Sequence, residues 1–227
     1  MNIRNRNKKL VLKKFYMNIL VISSHPDDEV LGMGGTIYKL ANEGHKIYLC
    51  VVTDGNCGST KQEKIRKESA IKASKFLGIK NTYFLDFPDT KLDITPQIEI
   101  NKKLENLMKK IKPEIVYTVP DNDFHKDHQK VLECTEVVTR PHSSNVKELY
   151  MYELPESIKT EFNPTVYVNI EKEFQYKLKA FKMYKTEQQE FPFPRSLKGI
   201  ETLAIQRGIQ SGLKKAEAFK LIRKIEK

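Results

Sequence analysis

The sequence predicts an α/β protein with a Rossmann-like, mostly parallel sheet and helices on both faces. From residue 17 onward, short apolar runs alternate with amphipathic stretches of helical length, a pattern typical of successive βαβ units. Turn residues or clusters of polar side chains follow the apolar runs. At 227 residues the chain suits one large domain. We therefore expect a single domain over residues 17–227, preceded by an arm at residues 1–16.

The strands are expected where the chain is apolar over the length of a strand. The first spans residues 17–23, in which Ile19 to Ile22 form the continuous apolar run of a buried parallel strand. Similar runs predict five further strands along the chain. Their expected ranges are 46–53, 82–87, 114–119, 147–153 and 165–170.

Helices are expected between these strands, where apolar residues recur with helical spacing and glycine or proline follows. Leu40 and Ala41 belong to the first helix, which Gly44 ends, and Pro113 prevents the third helix from continuing. From residue 171 the remaining elements are expected to be helices, separated by a proline-containing loop. The expected helical ranges are 34–43, 61–77, 95–111, 128–139, 171–185 and 197–210.

Composition limits the partners that we expect. Residues 1–16 carry six lysines and arginines without an acid, so much of the formal charge of +11 lies in this basic arm. The rest of the chain is only modestly basic, and no specific nucleic-acid partner is expected. Three cysteines without paired spacing favour a reducing compartment, hence the cytoplasm. No apolar run is long enough for a membrane span, and the oligomeric state, a homo-oligomer included, stays open.

The first polar cluster lies at the carboxyl end of the first expected strand, where open α/β sheets form their sites. It contains His25, Asp27, Asp28 and Glu29, whose proximity is costly unless a cation binds among them. His25 and Asp28 are three residues apart and can face one metal ion. Asp27 would then lie beside the ion and accept a proton from a metal-bound water, which is the apparatus of metal-assisted hydrolysis. Glu29 is expected only to stabilise a helix N-terminus.

The second polar cluster follows the fourth expected strand and contains His125 and His128. These two residues have the same spacing as His25 and Asp28, and either could supply a third ligand. A His-Asp-His set with one open position matches catalytic zinc. The spacing alone does not decide which of the two histidines binds the metal.

A rival interpretation is a nucleotide-binding or nucleic-acid-binding Rossmann-like protein that uses the basic arm. Gly32, Gly34 and Gly35 follow the first strand, as glycines do in dinucleotide-binding proteins. That fingerprint requires glycine at position 37, where this chain has Ile37. The neighbouring acids would also repel a pyrophosphate.

Four features together resemble the LmbE-like (PIG-L) family of zinc-dependent N-deacetylases, from about Met17 to the C-terminus. They are the first strand, His25-Pro26-Asp27-Asp28-Glu29 with the glycine-rich turn after it, His125-Lys126-Asp127-His128, and Ala216-Glu217-Ala218-Phe219. The resemblance implies a hydrolase that removes an acetyl group from N-acetylglucosamine units, releasing acetate and a free amine. In that family, these units are carried mainly on small glycosides, thiol cofactor precursors, phosphatidylinositol or antibiotics.

The resemblance also assigns roles to residues. It implies that one zinc ion is held by His25, Asp28 and His128, and that Asp27 is the general base. Protonated His125 would stabilise the oxyanion, with Asp127 orienting it.

Two more positions look similar to the family's substrate contacts, namely Arg66 and Asp89. In the second motif, Lys126 replaces the family's usual proline, which adds a positive charge near the site. This departure suggests an acidic substrate or a different loop shape.

Overall fold

A computed structural model describes residues 16–56, 60–155 and 159–226, with the backbone alone at residues 60–62. Residues 1–15 of the basic arm and Cys57 therefore lie outside the described residues. The strands in the described part are β1 (Asn18–Ser23), β2 (Lys46–Thr53), β3 (Asn81–Phe87), β4 (Ile115–Thr118), β5 (Glu148–Tyr152), β6 (Val166–Asn169) and β7 (Ala216–Lys224).

The strands form one sheet in the order β3-β2-β1-β4-β5-β7-β6. β1 to β5 pair in parallel, and β7 runs antiparallel to both of its neighbours. The predicted mostly parallel sheet is confirmed. The helices are α1 (Asp28–Asn42), α2 (Thr60–Leu77), α3 (Gln97–Ile111), α4 (Lys126–Val138), α5 (Phe174–Phe181) and α6 (Leu197–Ser211).

The helices flank the sheet in two groups, because α1, α2 and α5 contact one another and α3 contacts α4. β1 lies at the centre of the core, and Ile19 to Ile22 are fully buried, as the apolar run predicted. The strand order reverses between β1 and β4, which pair side by side. This reversal opens a crevice at the carboxyl ends of the two strands. Both polar clusters leave the sheet there, although about a hundred residues separate them in the sequence.

The structure corrects the prediction for the closing third of the chain. Residues 216–224 form strand β7, which lies between β5 and β6, although no strand was expected after residue 170. The segment begins with good helix formers, Ala216-Glu217-Ala218, so its local propensity favours a helix and does not predict a strand. The two neighbouring strands supply its hydrogen-bond partners on both sides, and tertiary pairing overrides propensity.

Helix α1 begins at Asp28, six residues earlier than predicted, and bends at Met33, whose φ and ψ of −146° and 26° are not helical. After the bend, the N–H groups of Gly35 and Thr36 donate to the carboxylate of Glu217, at 3.0 and 2.7 Å. The Nζ atom of Lys177 donates to the same carboxylate at 2.7 Å. Glu217 on β7 therefore caps the second half of α1, and Lys177 neutralises it.

The glycines after β1 are explained by close packing. A Cβ atom on Gly32 would lie 2.2 Å from Cδ2 of Tyr152, and one on Gly35 would lie 2.9 Å from Cγ2 of Ile170. These glycines allow α1 to approach the side chains opposite it, and dinucleotide binding is not needed to account for them. Among the described helices, none has the length and apolar character that crossing a bilayer requires.

We expect Gly32→Ala to destabilise the protein by about 1–3 kcal/mol, because the added methyl group overpacks the buried Tyr152 ring. Gly34→Ala is the matched control, since its Cβ would meet only the side chains of Lys177 and Val30, at 3.2 Å. Urea unfolding followed by circular dichroism measures both. Equal stability of the two variants would contradict this account of the glycine.

Candidate metal centre and active site

A cavity of about 490 Å³ is lined mainly by residues that follow β1, β3 and β4. Seven of the eight predicted site residues line it, and the eighth, Asp127, is fully buried and touches His25. The fold therefore brings together both sequence clusters. The seven lining residues are His25, Asp27, Asp28, Arg66, Asp89, His125 and His128.

Three potential ligand atoms form a triangle at the base of this cavity. Nδ1 of His25 lies 3.1 Å from Nε2 of His128, and the Oδ2 atom of Asp28 lies 3.7 and 3.6 Å from these two nitrogens. Around a tetrahedral zinc ion, bonds of about 2.0–2.2 Å separate ligand atoms by about 3.3–3.6 Å. The backbone N–H groups of Ser24 and His25 donate to Oδ2 of Asp28 and fix its position. The donor set fits a divalent metal ion.

The other nitrogen of His25 faces two carboxylates. Its Nε2 atom lies 3.0 Å from Asp89 and 3.2 Å from Asp127. Burial alone would lower the pKa of His25, but Asp127, Asp89 and Asp28 outweigh it and raise the pKa to about 10. Carboxylates that favour a charged imidazole also favour a metal cation. A proton on Nε2, held by acids, leaves Nδ1 available as a ligand.

The two histidines of the second cluster are held differently. Nδ1 of His128 contacts the carboxylate of Asp123, which leaves Nε2 facing His25 and Asp28. Nδ1 of His125 instead accepts a hydrogen bond from the backbone N–H of Asp127, at 3.2 Å. Ring nitrogens of His25, His125 and His128 lie within 4.8 Å of one another. A carboxylate partner is typical of a metal-binding histidine, so this arrangement favours His128 over His125 as the ligand.

Asp127 reaches His125 through its backbone and not through its carboxylate. The carboxylate accepts hydrogen bonds from the backbone N–H groups of Thr90 and Leu92, at 2.8 and 2.9 Å, in addition to its contact with His25. Burial would raise the pKa of Asp127, but His25 and these N–H groups lower it. The side chain of Asp127 is therefore an anion that orients His25, which differs from the orienting contact on His125 that was expected.

Asp27 has a backbone conformation that few residues adopt. Its φ is 126°, outside the usual range of a residue with a side chain. The carboxylate of Glu29 accepts a hydrogen bond from its N–H at 3.2 Å, and the Tyr184 hydroxyl donates to Glu29 in turn. Burial raises the pKa of Glu29 to about 7, although these hydrogen bonds oppose the rise. Glu29, which the sequence placed only at a helix terminus, holds Asp27 in position.

The side chain of Asp27 is buried beside two arginines. Its Oδ1 atom lies 3.5 Å from Nη2 of Arg66, and its Oδ2 atom lies 3.6 Å from Nη1 of Arg195. Oδ2 is buried without a hydrogen-bond partner among the described residues. Burial raises the pKa of this carboxyl group and Arg66 opposes the rise. A buried carboxylate oxygen that lacks a donor is free to accept a proton from a reactant.

Both predicted substrate contacts lie in the cavity wall. Arg66 is only 6% exposed, which excludes a simple surface ion pair, and it donates to the backbone oxygen of Pro26 at 3.2 Å. Its Nη1 atom lies 3.8 Å from Asp89, whose other oxygen faces His25. Lys126, by contrast, is exposed, donates to Gln129 and does not line the cavity. The acidic substrate suggested by Lys126 is therefore not supported by its position.

Five residues with contacts in or near the site were missed in the sequence or given no such role. Asp123 lies within the second motif, five residues before His128, and this spacing was a usable signal. Glu29 and Glu217 lie in the first and last motifs, but their contacts were not predicted. Glu187 and Arg195 lie in no motif and reach Arg66 and Asp27 across long sequence separations. The five are Glu29, Asp123, Glu187, Arg195 and Glu217.

The family model described as PIG-L, GlcNAc-PI de-N-acetylase, matches residues 20–139 of this chain. Two curated relatives share most of their length with it. The uncharacterized deacetylase YaiS of Escherichia coli is 34% identical, over 74% of this chain and 90% of its own. The diacetylchitobiose deacetylase of Thermococcus kodakarensis is 29% identical, over 90% of this chain and 82% of its own.

A solved structure of similar fold is N,N'-diacetylchitobiose deacetylase from Pyrococcus horikoshii in complex with an inhibitor. It superposes with a TM-score of 0.77 at 23% identity, over 92% of this chain and 85% of its own. At this identity the likeness concerns the fold, and it confirms the predicted architecture.

We expect Asp123→Asn to weaken the binding of a divalent metal by about 10- to 100-fold, because His128 loses the carboxylate that orients it. Asp121→Asn is the matched control, since Asp121 lies on the same loop but pairs with the exposed Lys220. Titration calorimetry with Zn²⁺ gives both affinities. If both variants bind zinc as the wild type does, Asp123 has no part in a metal site.

Proposed function

The chain belongs to the PIG-L family, and on this basis we propose that it is a zinc-dependent N-deacetylase of N-acetylglucosamine-type sugar conjugates, which releases acetate and a free amine. The predicted reaction class, amide hydrolysis, is confirmed by the family. The observation that carries the proposal is the triangle of His25, Asp28 and His128 in one cavity with the buried carboxylate of Asp27. A cytoplasmic location stays a prediction.

His25, Asp28 and His128 would hold the zinc ion through Nδ1, Oδ2 and Nε2. When bound, the ion polarises the acetamide carbonyl and lowers the pKa of water. Asp89, Asp123 and Asp127 keep the protons of the two histidines on the nitrogens that face away from the triangle. In this arrangement each imidazole presents a lone pair to the metal.

Asp27 acts as the general base. The Oδ2 atom accepts the proton of the attacking water, which adds to the carbonyl carbon of the acetamide. Arg66 and Arg195 lie beside the carboxylate and favour its ionised form before the reaction. After the tetrahedral intermediate forms, Asp27 returns the proton to the departing nitrogen, the C–N bond breaks, and acetate and the amine are released. The same group thus serves as base and then as acid.

His125 donates a hydrogen bond to the oxygen that becomes negative. Its Nδ1 atom accepts from the backbone of Asp127, so in the neutral ring the proton is on Nε2. Burial, together with the imidazoles of His25 and His128, lowers the pKa of His125. We therefore assign the donor as a neutral imidazole, in place of the protonated form expected from the sequence.

We expect Asp27→Asn to reduce kcat by at least about 10²–10⁴-fold while zinc stays bound, because the base is lost and the ligands are not. Asparagine tolerates the positive φ at this position better than most residues do. Mass-spectrometric detection of acetyl loss, across a panel of N-acetylglucosamine conjugates, compares this variant with the wild type. A fully active Asp27→Asn enzyme would exclude Asp27 as the base. If the wild type releases acetate from no member of the panel, the proposed substrate class is wrong.

His125 and His128 are separated by paired substitutions. We expect His125→Phe to retain zinc and to lose about 10²–10³-fold in kcat, since one oxyanion donor is removed. His128→Ala, in contrast, should lose the metal itself. Elemental analysis and steady-state kinetics on both variants test the assignment, which is reversed if His125→Phe is the variant that loses zinc.

A further inference from the structure

The bottom of the cavity is lined by charged side chains and its rim by apolar ones. Beyond the triangle of ligands, its lining includes Leu31, Phe124, Leu154 and Pro155. Phe124 is 66% exposed, although it directly precedes His125. An exposed aromatic ring at the mouth of a cavity offers an apolar face to whatever enters it.

The charged part of the wall is organised as a closed ring of ion pairs. Glu187, in the segment between α5 and α6, lies 3.3 Å from Nε of Arg66 and 3.4 Å from Nη1 of Arg195. The same two arginines lie 3.5 and 3.6 Å from the two carboxylate oxygens of Asp27. Each guanidinium group is thus placed between two carboxylates, with Asp89 as a third beside Arg66.

The ring itself is neutral, because two carboxylates face two guanidinium groups, and the other carboxylates of the lining give the cavity its negative character. Among the described lining residues, the carboxylates of Asp27, Asp28, Asp89, Asp123 and Glu187 outnumber the guanidinium groups of Arg66 and Arg195. Even a divalent cation at the histidines leaves these side chains without net positive charge. An acidic acceptor group would therefore meet repulsion that a neutral one does not.

Resting on the proposed function, we propose that the site takes N-acetylglucosamine linked to a neutral sugar and disfavours acidic acceptors, with Glu187 as the specificity-determining residue and Phe124 as the stacking platform. Glu187 neutralises the two arginines that could otherwise bind a carboxylate or phosphate. Phe124 provides the apolar face against which the C–H face of a second pyranose ring packs.

The test compares two substrates that differ in the charge of the acceptor. N,N'-diacetylchitobiose is the neutral probe, and N-acetylglucosaminyl malate is the acidic probe. We expect the wild type to show the higher kcat/KM with the neutral probe. Glu187→Gln should shift the ratio of the two kcat/KM values towards the acidic probe by at least about tenfold. The substitution removes the negative charge of Glu187, which repels an acidic acceptor, and leaves the positive charges of Arg66 and Arg195 less completely neutralised.

Glu190→Gln is the matched control, because Glu190 lies on the same segment, is exposed and does not line the cavity. Circular dichroism and zinc content verify that each variant is folded and loaded. Glu187→Asp provides a second check, since it keeps the charge and should keep the neutral preference. A wild type that prefers the acidic probe, or a folded Glu187→Gln with an unchanged ratio, overturns the inference and leaves the proposed deacetylase in place. Inactivity of the wild type on both probes overturns the inference, and inactivity on the whole panel of N-acetylglucosamine conjugates overturns the proposed function as well.

The platform is tested separately. Phe124→Ala should raise KM for N,N'-diacetylchitobiose by about tenfold with little change in kcat, because binding surface is lost and the reacting groups are not. Phe124→Tyr should retain the wild-type KM. Phe191→Ala removes another exposed phenylalanine, outside the cavity lining, and should have no effect. An unchanged KM in Phe124→Ala would exclude the platform.

Discussion

Six carboxyl groups, each less than a tenth exposed, are buried around the crevice between β1 and β4, and their mutual repulsion is the constraint that shapes this part of the molecule. Each has a partner that offsets its charge. Asp28 and Asp127 accept hydrogen bonds from backbone N–H groups, and Glu29 accepts one from a tyrosine hydroxyl. Asp89 and Asp123 contact imidazoles, and Asp27 lies beside guanidinium groups. The positions of His25, His128, Arg66 and Tyr184 follow from this requirement, and the fit to a divalent cation follows from it too.

The sheet and most of its helices could be predicted because their signals are local. The apolar run of β1 and the helix-ending residues Gly44 and Pro113 are properties of adjacent residues, and the structure places the elements where they indicate. The two polar clusters could be assigned to one site for a related reason. Both follow strands that a parallel sheet brings to the same edge, so only the strand order had to be right.

The rest of the site depends on contacts that no local pattern encodes. Glu187 and Arg195 join the site from a segment between two helices, and no motif in that segment predicts their partners. The hydrogen bonds from α1 to Glu217 could not be predicted, because the strand that carries Glu217 has the composition of a helix. Asp127 was assigned to His125, two residues before it, whereas its carboxylate contacts His25, which precedes it by 102 residues. The family resemblance implied one partner and the fold supplies another.

Capping of α1 by Glu217 also has a bearing on how the protein is made. The helix that carries Asp28 leaves a ribosome well before β7, because the carboxylate that satisfies its bent middle lies 181 residues after Thr36. Contacts of such separation form late in folding. A nascent chain therefore has the ligands of the first motif long before it has the strand that supports them, and the active site matures only after β7 has been synthesised.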